Sequence, residues 1–241
     1  MNNYLVVIPT YNEKENIAAI IDAVFKLSKP FHILVVDDNS PDGTSSIVQG
    51  YIDNTYSDRL FILNRKEKNG LGPAYIAGFK WALENNYQYV FEMDADFSHP
   101  PEKLVDLLSK AEDDGFDLVV GSRYTSGGGV KNWSIDRHIL SRGASFYVQA
   151  ITWMPVKDPT AGFICYKVDV LRAIDLDNVE FTGYAFQIEM KYTAWRKGFK
   201  IAEVPITFVD RELGVSKMNS SIIKEAIFGV LRMRFQKKYK A

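Results

Sequence analysis

Two aspartates stand two positions apart in the stretch EMDADFSHPP, residues 92–101. Asp94 and Asp96 follow the apolar run YVF, so they come where a buried strand would end. The ligands offered here are carboxylate oxygens, with no cluster of Cys or His, and such ligands suit Mg²⁺ or Mn²⁺. Mg²⁺ commonly takes one or two carboxylates while substrate phosphates complete its shell. A lone pair of this kind also serves simply to end a strand and cap the next helix. The choice depends on what the other strand ends supply.

Polar residues also follow the other apolar runs: PTYNE after the first, DDNSPDGT after the second and SRY after the fifth. In parallel α/β sheets ligands bind outside the carboxyl ends of the strands, so we expect these groups to converge on one rim. The acidic groups concerned are Glu13, Asp37, Asp38, Asp94 and Asp96. A divalent cation would offset their repulsion, which otherwise favours protonation. Arg123 reaches the same rim, and because arginine forks suit phosphates, the set predicts a metal, a phosphorylated donor and a second anion.

The elements that must position these side chains alternate along the first half of the chain. The runs YLVVI, FHILVV, LFIL, YVFEM and DLVVG are continuously apolar, which is typical of strands covered on both faces. Between them we expect helices over residues 15–27, 42–56, 72–85 and 101–113. The pattern predicts an α/β fold with a mostly parallel, doubly wound sheet flanked by helices and right-handed crossovers.

The second half is less regular. TSGGGVKNW predicts a glycine-rich loop rather than a secondary-structure element. A helix over 137–152, a strand at GFICYK, a helix through YAFQIEMKYTAWRKG and a strand pair around KIAEVPITFV, interrupted by Pro205, are expected to follow. The stretch SSIIKEAIFGVLRMRFQKKYK predicts a final helix. No repeat or linker divides the chain, which predicts a single domain.

Composition excludes several classes of protein. The 241 residues are 46% hydrophobic, enough for a substantial core, and a net charge of −1 gives no basic field for nucleic acid. The single cysteine, Cys165, excludes an internal disulfide framework and favours a reducing, cytosolic environment. The first residues predict a strand rather than a signal peptide, and no run is long and apolar enough to span a bilayer.

Other chemistries lack their motifs. No G-x-G-x-x-G follows the first strand, no G-x-S-x-G occurs, and KNGLGPA lacks the ending of a phosphate loop. His32, His99 and His138 are not spaced as zinc ligands, so each is expected to be satisfied within the fold or to face solvent.

Seven segments, taken in order, resemble the GT-A glycosyltransferases of family 2: VVIPTYNEKENI, VVDDNSPDGT, GLGPAYIAGF, MDADFSHPP, VVGSRY, DPTAGF and QIEM. The resemblance covers nearly the whole chain. DADFSHPP, GSRY and VDRELGVSKM are more specific and resemble the branch that acts on polyprenyl (dolichyl) phosphates. The resemblance implies a GT-A, Rossmann-like catalytic domain over residues 1–219. It also implies a C-terminal amphipathic helix with a basic tail over 220–241, without a transmembrane segment.

The reaction implied by this resemblance is transfer of mannose from GDP-mannose to a polyprenyl phosphate, with inversion at the anomeric carbon and with Mg²⁺ or Mn²⁺ as cofactor. Two alternatives remain open. One is UDP-glucose-dependent transfer to the same kind of lipid, and the other is a non-catalytic nucleotide-sugar-binding protein on this fold. The charged residues at the strand ends favour an enzyme, because a pure binder has no need to stabilise a leaving group.

The resemblance also implies roles for individual residues. The donor would be bound by Pro9, Tyr11, Glu13, Val36, Asp38, Asp94, Ala95, Asp96, Arg211 and Lys217. The metal would be held by Asp94 and Asp96; Ser98 stands where some relatives have a glutamine ligand, so its hydroxyl or a water would fill that position. The acceptor phosphate would contact Arg123, Arg137 and Ser141. The implied catalytic set is Asp96, Arg123, Arg211 and Lys217.

A lipid acceptor implies a peripheral position on the cytoplasmic face of a membrane, reached directly or through a separate membrane subunit. Two segments offer apolar faces for direct contact. One is the final helix, where Ile222, Ile223, Ala226, Ile227, Val230 and Leu231 precede a basic tail; the other is ASFYVQAITWM, residues 144–154. Packing of the final helix on the core is equally compatible with its periodicity.

Overall fold

The computed structural model describes residues 3–210 and 220–239 of the chain. The strands are β1 (Tyr4–Thr10), β2 (His32–Asp37), β3 (Leu60–Asn64), β4 (Tyr89–Glu92), β5 (Leu118–Ser122), β6 (Gly129–Lys131), β7 (Ile164–Lys167), β8 (Ile201–Pro205) and β9 (Thr207–Val209). The helices are α1 (Ile17–Phe25), α2 (Thr44–Asn54), α3 (Leu71–Glu84), α4 (Lys103–Glu112), α5 (Ile135–Thr152), α6 (Val168–Ala173), α7 (Tyr184–Arg196) and α8 (Ser220–Phe235). Two short 3₁₀ turns cover Leu176–Asn178 and Lys237–Tyr239.

Seven strands form the main sheet in the order β3-β2-β1-β4-β7-β5-β8. All neighbouring strands are parallel except that β7 runs antiparallel to both β4 and β5. The apolar runs of β1 and β2 are almost fully buried because helices cover both faces of the sheet. The predicted mostly parallel α/β sheet is therefore confirmed.

Two hydrophobic clusters fill the space between the sheet and the helices. One packs α3, α6, α7 and part of α8 against one face, with Tyr75, Phe79 and Phe186 among its fully buried members. The other packs α1, α2 and α4 against the opposite face, with Ile20 and Leu107 in its centre. The first four helices lie where the sequence predicts them, with ends one to two residues from the expected positions.

The glycine-rich stretch differs from its prediction. Residues 129–131 form β6, which pairs in parallel with β9 in a separate two-stranded ribbon. Gly128 permits this path, since a Cβ there would lie 2.6 Å from the carbonyl oxygen of Ser122. The expectation of a loop without secondary structure is wrong here because the pairing partner lies almost 80 residues downstream, beyond the reach of any local pattern.

Both strands expected around KIAEVPITFV form, but they do not pair with each other as predicted. β8 joins the main sheet beside β5, with Pro205 opposite Ser122, while β9 turns away to join β6. Proline lacks the N–H that a continuing ladder needs, so the change of partner occurs directly after it.

The last helix packs partly on the core. Val230 and Met233 of α8 are fully buried in the first cluster, and the hydroxyl of Tyr239 donates to the buried carboxylate of Glu189. Ile227 and Phe228, by contrast, are exposed. Within the residues described, no helix combines the length and the apolar character that crossing a bilayer requires.

Candidate active site

The carboxyl ends of β1, β2 and β4 lie side by side at the place where the strand order reverses. β1 has β2 on one side and β4 on the other, which makes this edge the topological switch point of the sheet. In open α/β sheets this crevice is the usual place for a ligand. The residues singled out from the sequence are concentrated around it.

The ends of β1 and β2 bring together the first group of predicted donor-binding residues. Pro9 and Val36 are register partners on adjacent strands, and the backbone N–H of Asp38 donates to the carbonyl of Thr10 at 3.0 Å. Tyr11 follows directly and lies under the ammonium of Lys68, 4.2 Å from the ring centroid. Their proximity is thus a property of the fold, while their contacts with a nucleotide remain predictions.

Glu13 begins the turn that leads into α1. Its backbone N–H donates to the hydroxyl of Thr44 at 3.0 Å, which ties this turn to the start of α2, and its carboxylate accepts from the side-chain amide of Asn16 at 3.2 Å.

Asp37 and Asp38 are adjacent in sequence but differ in environment. The carboxylate of Asp37 is buried and accepts hydrogen bonds from the hydroxyls of Thr10, Ser40 and Ser45 at 2.6–2.8 Å. Asp38 instead pairs with Arg65, 2.9 Å from its guanidinium. Burial raises the pKa of Asp38, and the charge of Arg65 opposes that rise. Asp37 therefore holds the β2 turn together, whereas Asp38 presents a paired carboxylate at the rim.

The two aspartates of the opening motif lie on a tight turn directly after β4. The hydroxyl of Tyr75 donates to Asp94 at 3.3 Å, and the backbone N–H of Ser98 donates to Asp96 at 3.1 Å. Ala95 is buried between them, and Phe97 adopts a left-handed backbone with φ of 60°. Both carboxylates are partly exposed. The turn thus holds two acidic groups at the rim beside β1.

The donor set fits a hard divalent cation that shares its shell with a substrate. Among the residues described, no three His, Cys, Asp or Glu side chains are placed to hold one ion. Asp37 and Asp38 already have partners of their own within the fold. Two carboxylates from one turn still match Mg²⁺ or Mn²⁺ sites completed by phosphate oxygens. Ser98 is only 3% exposed, and its predicted contact with the metal remains a prediction.

His99 is buried beside this turn. Its Nδ1 accepts the backbone N–H of Asp94 at 3.1 Å, and burial lowers its pKa, so the imidazole is held neutral. The expectation of a satisfied histidine is confirmed.

Arg123 lies directly after β5 and is bound by a buried carboxylate. Its Nε and Nη2 donate to Asp158 at 2.7 and 2.6 Å, its backbone N–H donates to the same carboxylate, and Nη2 also reaches Thr160 at 2.8 Å. Two parallel bonds of this kind hold an arginine in one orientation. Arg123 therefore anchors the segment 158–160 to β5, and its predicted contact with an acceptor phosphate remains a prediction.

The other two predicted acceptor residues lie one turn apart on α5. Arg137 forms an ion pair with Asp210 and lies over the ring of Trp133, 4.3 Å from its centroid. Ser141 accepts the hydroxyl of Tyr124 at 2.7 Å. Arg123 also lies over the Trp133 and Tyr124 rings. Arg123, Arg137 and Ser141 are therefore brought together around two aromatic side chains.

A sealed polar network lies beneath the rim. Glu92 accepts from Tyr166 at 2.9 Å and from Gln187 at 2.5 Å, and Lys191 donates to the backbone carbonyls of Ala161 and Gln187. Burial raises the pKa of Glu92 to about 7 and lowers the pKa of Lys191 to about 8. Through Lys191 this network joins α7 to the segment 158–163 at the carbonyl of Ala161.

Arg211 and Lys217, which were predicted to close over the donor diphosphate, lie outside the described residues. Conversely, sequence reasoning missed Asp158, Asp210 and the place of His99 in the site. Each stands in a motif quoted for the resemblance, DPTAGF, VDRELGVSKM and DADFSHPP respectively. The signal was present in those motifs, but the side-chain partners come from distant parts of the chain.

Residues 5–175 match the model of the family described as Glycosyl transferase family 2. The chain is 48% identical over 226 residues to the polyprenol monophosphomannose synthase of Mycolicibacterium smegmatis, which covers 94% of this chain and 84% of the relative. It is 44% identical over 230 residues to the undecaprenyl-phosphate mannosyltransferase of Micrococcus luteus, covering 95% of this chain and 92% of the relative.

Solved structures share the fold at lower identity. The glucosyl-3-phosphoglycerate synthase of Mycobacterium tuberculosis, in complex with Mn²⁺, UDP-glucose and phosphoglyceric acid, superposes with a TM-score of 0.67 at 17% identity, covering 97% of this chain and 79% of its own. The mannosyltransferase PcManGT of Pyrobaculum calidifontis, in complex with GDP-mannose and Mn²⁺, gives 0.61 at 16% identity, covering 96% and 69%. At these identities the likeness extends to the fold alone.

Proposed function

Since the chain belongs to glycosyltransferase family 2 and is therefore a glycosyltransferase, we propose that it transfers mannose from GDP-mannose to a polyprenyl phosphate, with inversion at the anomeric carbon. The observation that carries the proposal is the identity of 44–48%, over nearly the whole chain, to two enzymes named for mannosyl transfer to polyprenyl phosphates. The site supports it with two adjoining halves, one acidic and one basic.

The donor would bind across the switch point. The group at the ends of β1 and β2 would receive the nucleoside, and the turn after β4 would receive its diphosphate. Asp94 and Asp96 would hold a divalent cation, Mg²⁺ or Mn²⁺, which when bound offsets negative charge on the diphosphate. Arg211 and Lys217, from the segment that follows Asp210, would contribute positive charge to the same leaving group.

The acceptor would enter from the basic half. A phosphate monoester is already an anion near neutral pH, so attack on the anomeric carbon requires no strong general base. A phosphate oxygen forms the new bond to that carbon while the bond to the GDP oxygen breaks, which inverts the configuration in one displacement. Arg137 and Ser141 would orient the phosphate, and Arg123 would hold the neighbouring segment in place.

An apolar face beside the acceptor residues supports a lipid substrate. It comprises Ile135, Ile139 and Phe146 on α5, Trp153 directly after α5, and Phe228 and Phe235 on α8, all exposed. On α5 these residues recur at intervals of four or seven, so they share one side of the helix. The two helices are joined where the hydroxyl of Tyr147 donates to the carbonyl of Ile227 at 2.9 Å, and Arg234 lies over the Trp153 ring. This combination suits the surface of a bilayer with anionic lipids.

A transfer assay tests the proposal. Purified protein would be incubated with radiolabelled GDP-mannose or UDP-glucose, a short polyprenyl phosphate, and Mg²⁺, Mn²⁺ or EDTA. We expect labelled lipid from GDP-mannose only, and none with EDTA. Incorporation from UDP-glucose alone would show that the donor is UDP-glucose and not GDP-mannose. Incorporation that persists with EDTA would refute the role given to the metal.

A further inference from the structure

We propose that His99 is a positioning residue that fixes the turn carrying Asp94 and Asp96, so that both carboxylates are placed for a divalent cation and a nucleoside diphosphate. This inference rests on the proposed function, because it presupposes that the turn binds such a ligand. The charges and the acidic motif do not by themselves give this histidine a role. We infer its role from three contacts that its side chain makes.

The first contact is a hydrogen bond at the point where the sheet stops supplying partners. Met93 still donates its backbone N–H to the carbonyl of Val7 on β1 at 3.2 Å. The next N–H, that of Asp94, donates instead to Nδ1 of His99 at 3.1 Å. His99 is 4% exposed, so no bulk water is available to replace it. Loss of the acceptor would leave this backbone amide without its hydrogen-bond partner at the start of the turn.

The same hydrogen bond closes the turn on itself. The side chain of residue 99 reaches back five positions, across Phe97, whose left-handed backbone has a φ of 60°. A non-glycine residue in that region persists only where its surroundings hold it. Pro100 follows His99 and restricts its backbone to extended values, which limits the directions in which the imidazole can point. The backbone of the acidic turn is therefore held from its far end.

The remaining two contacts join the turn to the rest of the site. The imidazole stacks on Phe163, with ring centroids 5.1 Å apart and planes 11° apart, and it meets Phe208 edge-on at 5.8 Å. Phe163 follows, three residues on, the segment 158–160 that Arg123 anchors, and Phe208 belongs to β9, two residues before Asp210. One buried ring thus touches the acidic turn, the segment 158–163 and the ribbon of the acceptor half.

These contacts require two properties that few side chains combine. The first is an acceptor: a backbone N–H can only donate, so Nδ1 must be unprotonated. The second is a flat aromatic ring, which stacking on Phe163 requires. Phenylalanine would keep the ring and lose the acceptor. Asparagine would keep an oxygen near the Nδ1 position and lose most of the ring. Glutamine would place its acceptor nearer the Nε2 position, away from Asp94.

The three substitutions separate the hydrogen bond from the packing. Mn²⁺ affinity would be measured by electron paramagnetic resonance with GDP present, for the wild type, His99→Phe, His99→Asn and His99→Gln. Removal of a group that holds metal ligands in place commonly costs ten- to a hundredfold in metal affinity. We therefore expect about tenfold or greater weakening in His99→Phe and His99→Gln, with His99→Asn within about threefold of the wild type. In transfer assays His99→Phe and His99→Gln should raise the KM for the donor and leave the KM for the acceptor unchanged.

His32→Phe is the matched control. Nδ1 of His32 shares a hydrogen bond with the hydroxyl of Tyr87 at 2.9 Å, at the opposite end of the sheet. The control removes a partly buried histidine hydrogen bond away from the turn, so its thermal stability should fall while its Mn²⁺ affinity stays unchanged.

Wild-type Mn²⁺ affinity in His99→Phe would overturn the inference while leaving the proposed transfer intact. If His99→Phe fails to fold, the Asn and Gln variants decide: equal affinities in the two would overturn it. A wild-type protein that transfers mannose but binds Mn²⁺ no better with GDP than without would also overturn it. If the wild type binds Mn²⁺ with UDP in place of GDP, the donor assignment fails, and the same variants test His99 with UDP.

Discussion

The two halves of the site are built differently. The donor side, residues 9–13, 36–38 and 94–99, stands on adjacent strand ends, and most of its polar groups are held by hydrogen bonds within or next to the sheet. The acceptor side, Arg123 with residues 133–146 and 207–210, stands on the ribbon and α5 and leaves large apolar side chains exposed. The proposed function accounts for this difference, because a water-soluble donor would be held in a hydrogen-bonded crevice and a lipid acceptor would meet an apolar surface.

Removal of a carboxylate from the donor side should have the largest effect. We expect Asp96→Ala to lower the rate of transfer by at least about 10²–10³-fold, because loss of one group that stabilises leaving-group charge has that magnitude. Radiolabel transfer at saturating GDP-mannose would measure it. Asp53→Ala, at an exposed position on α2, should retain full activity. An active, metal-dependent Asp96→Ala enzyme would remove the basis for the donor side.

A change on the acceptor side should affect the lipid and spare the donor. Arg137→Ala would remove the proposed charged hydrogen bonds to the acceptor phosphate, each worth about 1.5–3 kcal/mol, so the KM for polyprenyl phosphate should rise roughly ten- to a hundredfold. The KM for GDP-mannose should not change. Steady-state kinetics with each substrate varied in turn would check both values, with Arg172→Ala, at an exposed position on α6, as the control. Equal effects on the two substrates would show that the halves are not separable in this way.

The apolar face should determine binding to membranes. Phe146 is 73% exposed, and burial of such a side chain contributes about 1.5–3 kcal/mol, so Phe146→Ser should weaken binding to anionic lipid vesicles about tenfold. Sedimentation with phosphatidylglycerol vesicles would measure this, and Glu84→Ser, at an exposed position on α3, is the control. A wild-type protein that does not sediment with vesicles would favour docking on a separate membrane subunit instead.

The smallest effect, on the free energy of unfolding, should come from the buried network of Glu92, Gln187 and Lys191. Lys191, which supports Ala161, has its pKa lowered to about 8 by burial, below the value of 10.5 for an exposed lysine. The unfolded chain therefore binds more protons between these values, and the free energy of unfolding should rise with pH, by about 1 kcal/mol from pH 7.5 to 9. Lys191→Met should abolish that rise in urea unfolding, and Lys197→Met, at an exposed position, should retain it. A rise that persists in Lys191→Met would assign the titration elsewhere.

The donor side could be predicted from the sequence because its signals are local. Each apolar run of the first half is followed at once by the polar residues that reach the rim, and the parallel order of β1, β2 and β4 brings them together. The acceptor side could be predicted only in part. Arg137 and Ser141 were named from the resemblance, but their partners Asp210 and Tyr124 lie on other elements. Strand pairing over long distances leaves no periodic signal, which is why the sequence predicts a loop where β6 lies.

The position of β7 has a consequence for synthesis of the chain. The neighbours of β5 in the sheet are β7 and β8, both of which come later in the sequence, and β4 reaches β5 only through β7. While a ribosome is still translating the segment up to residue 163, β5 has no strand to pair with and β4 has a neighbour only in β1. The growing chain therefore exposes an apolar edge for some 40 residues of elongation, during which chaperones would have their greatest access to it.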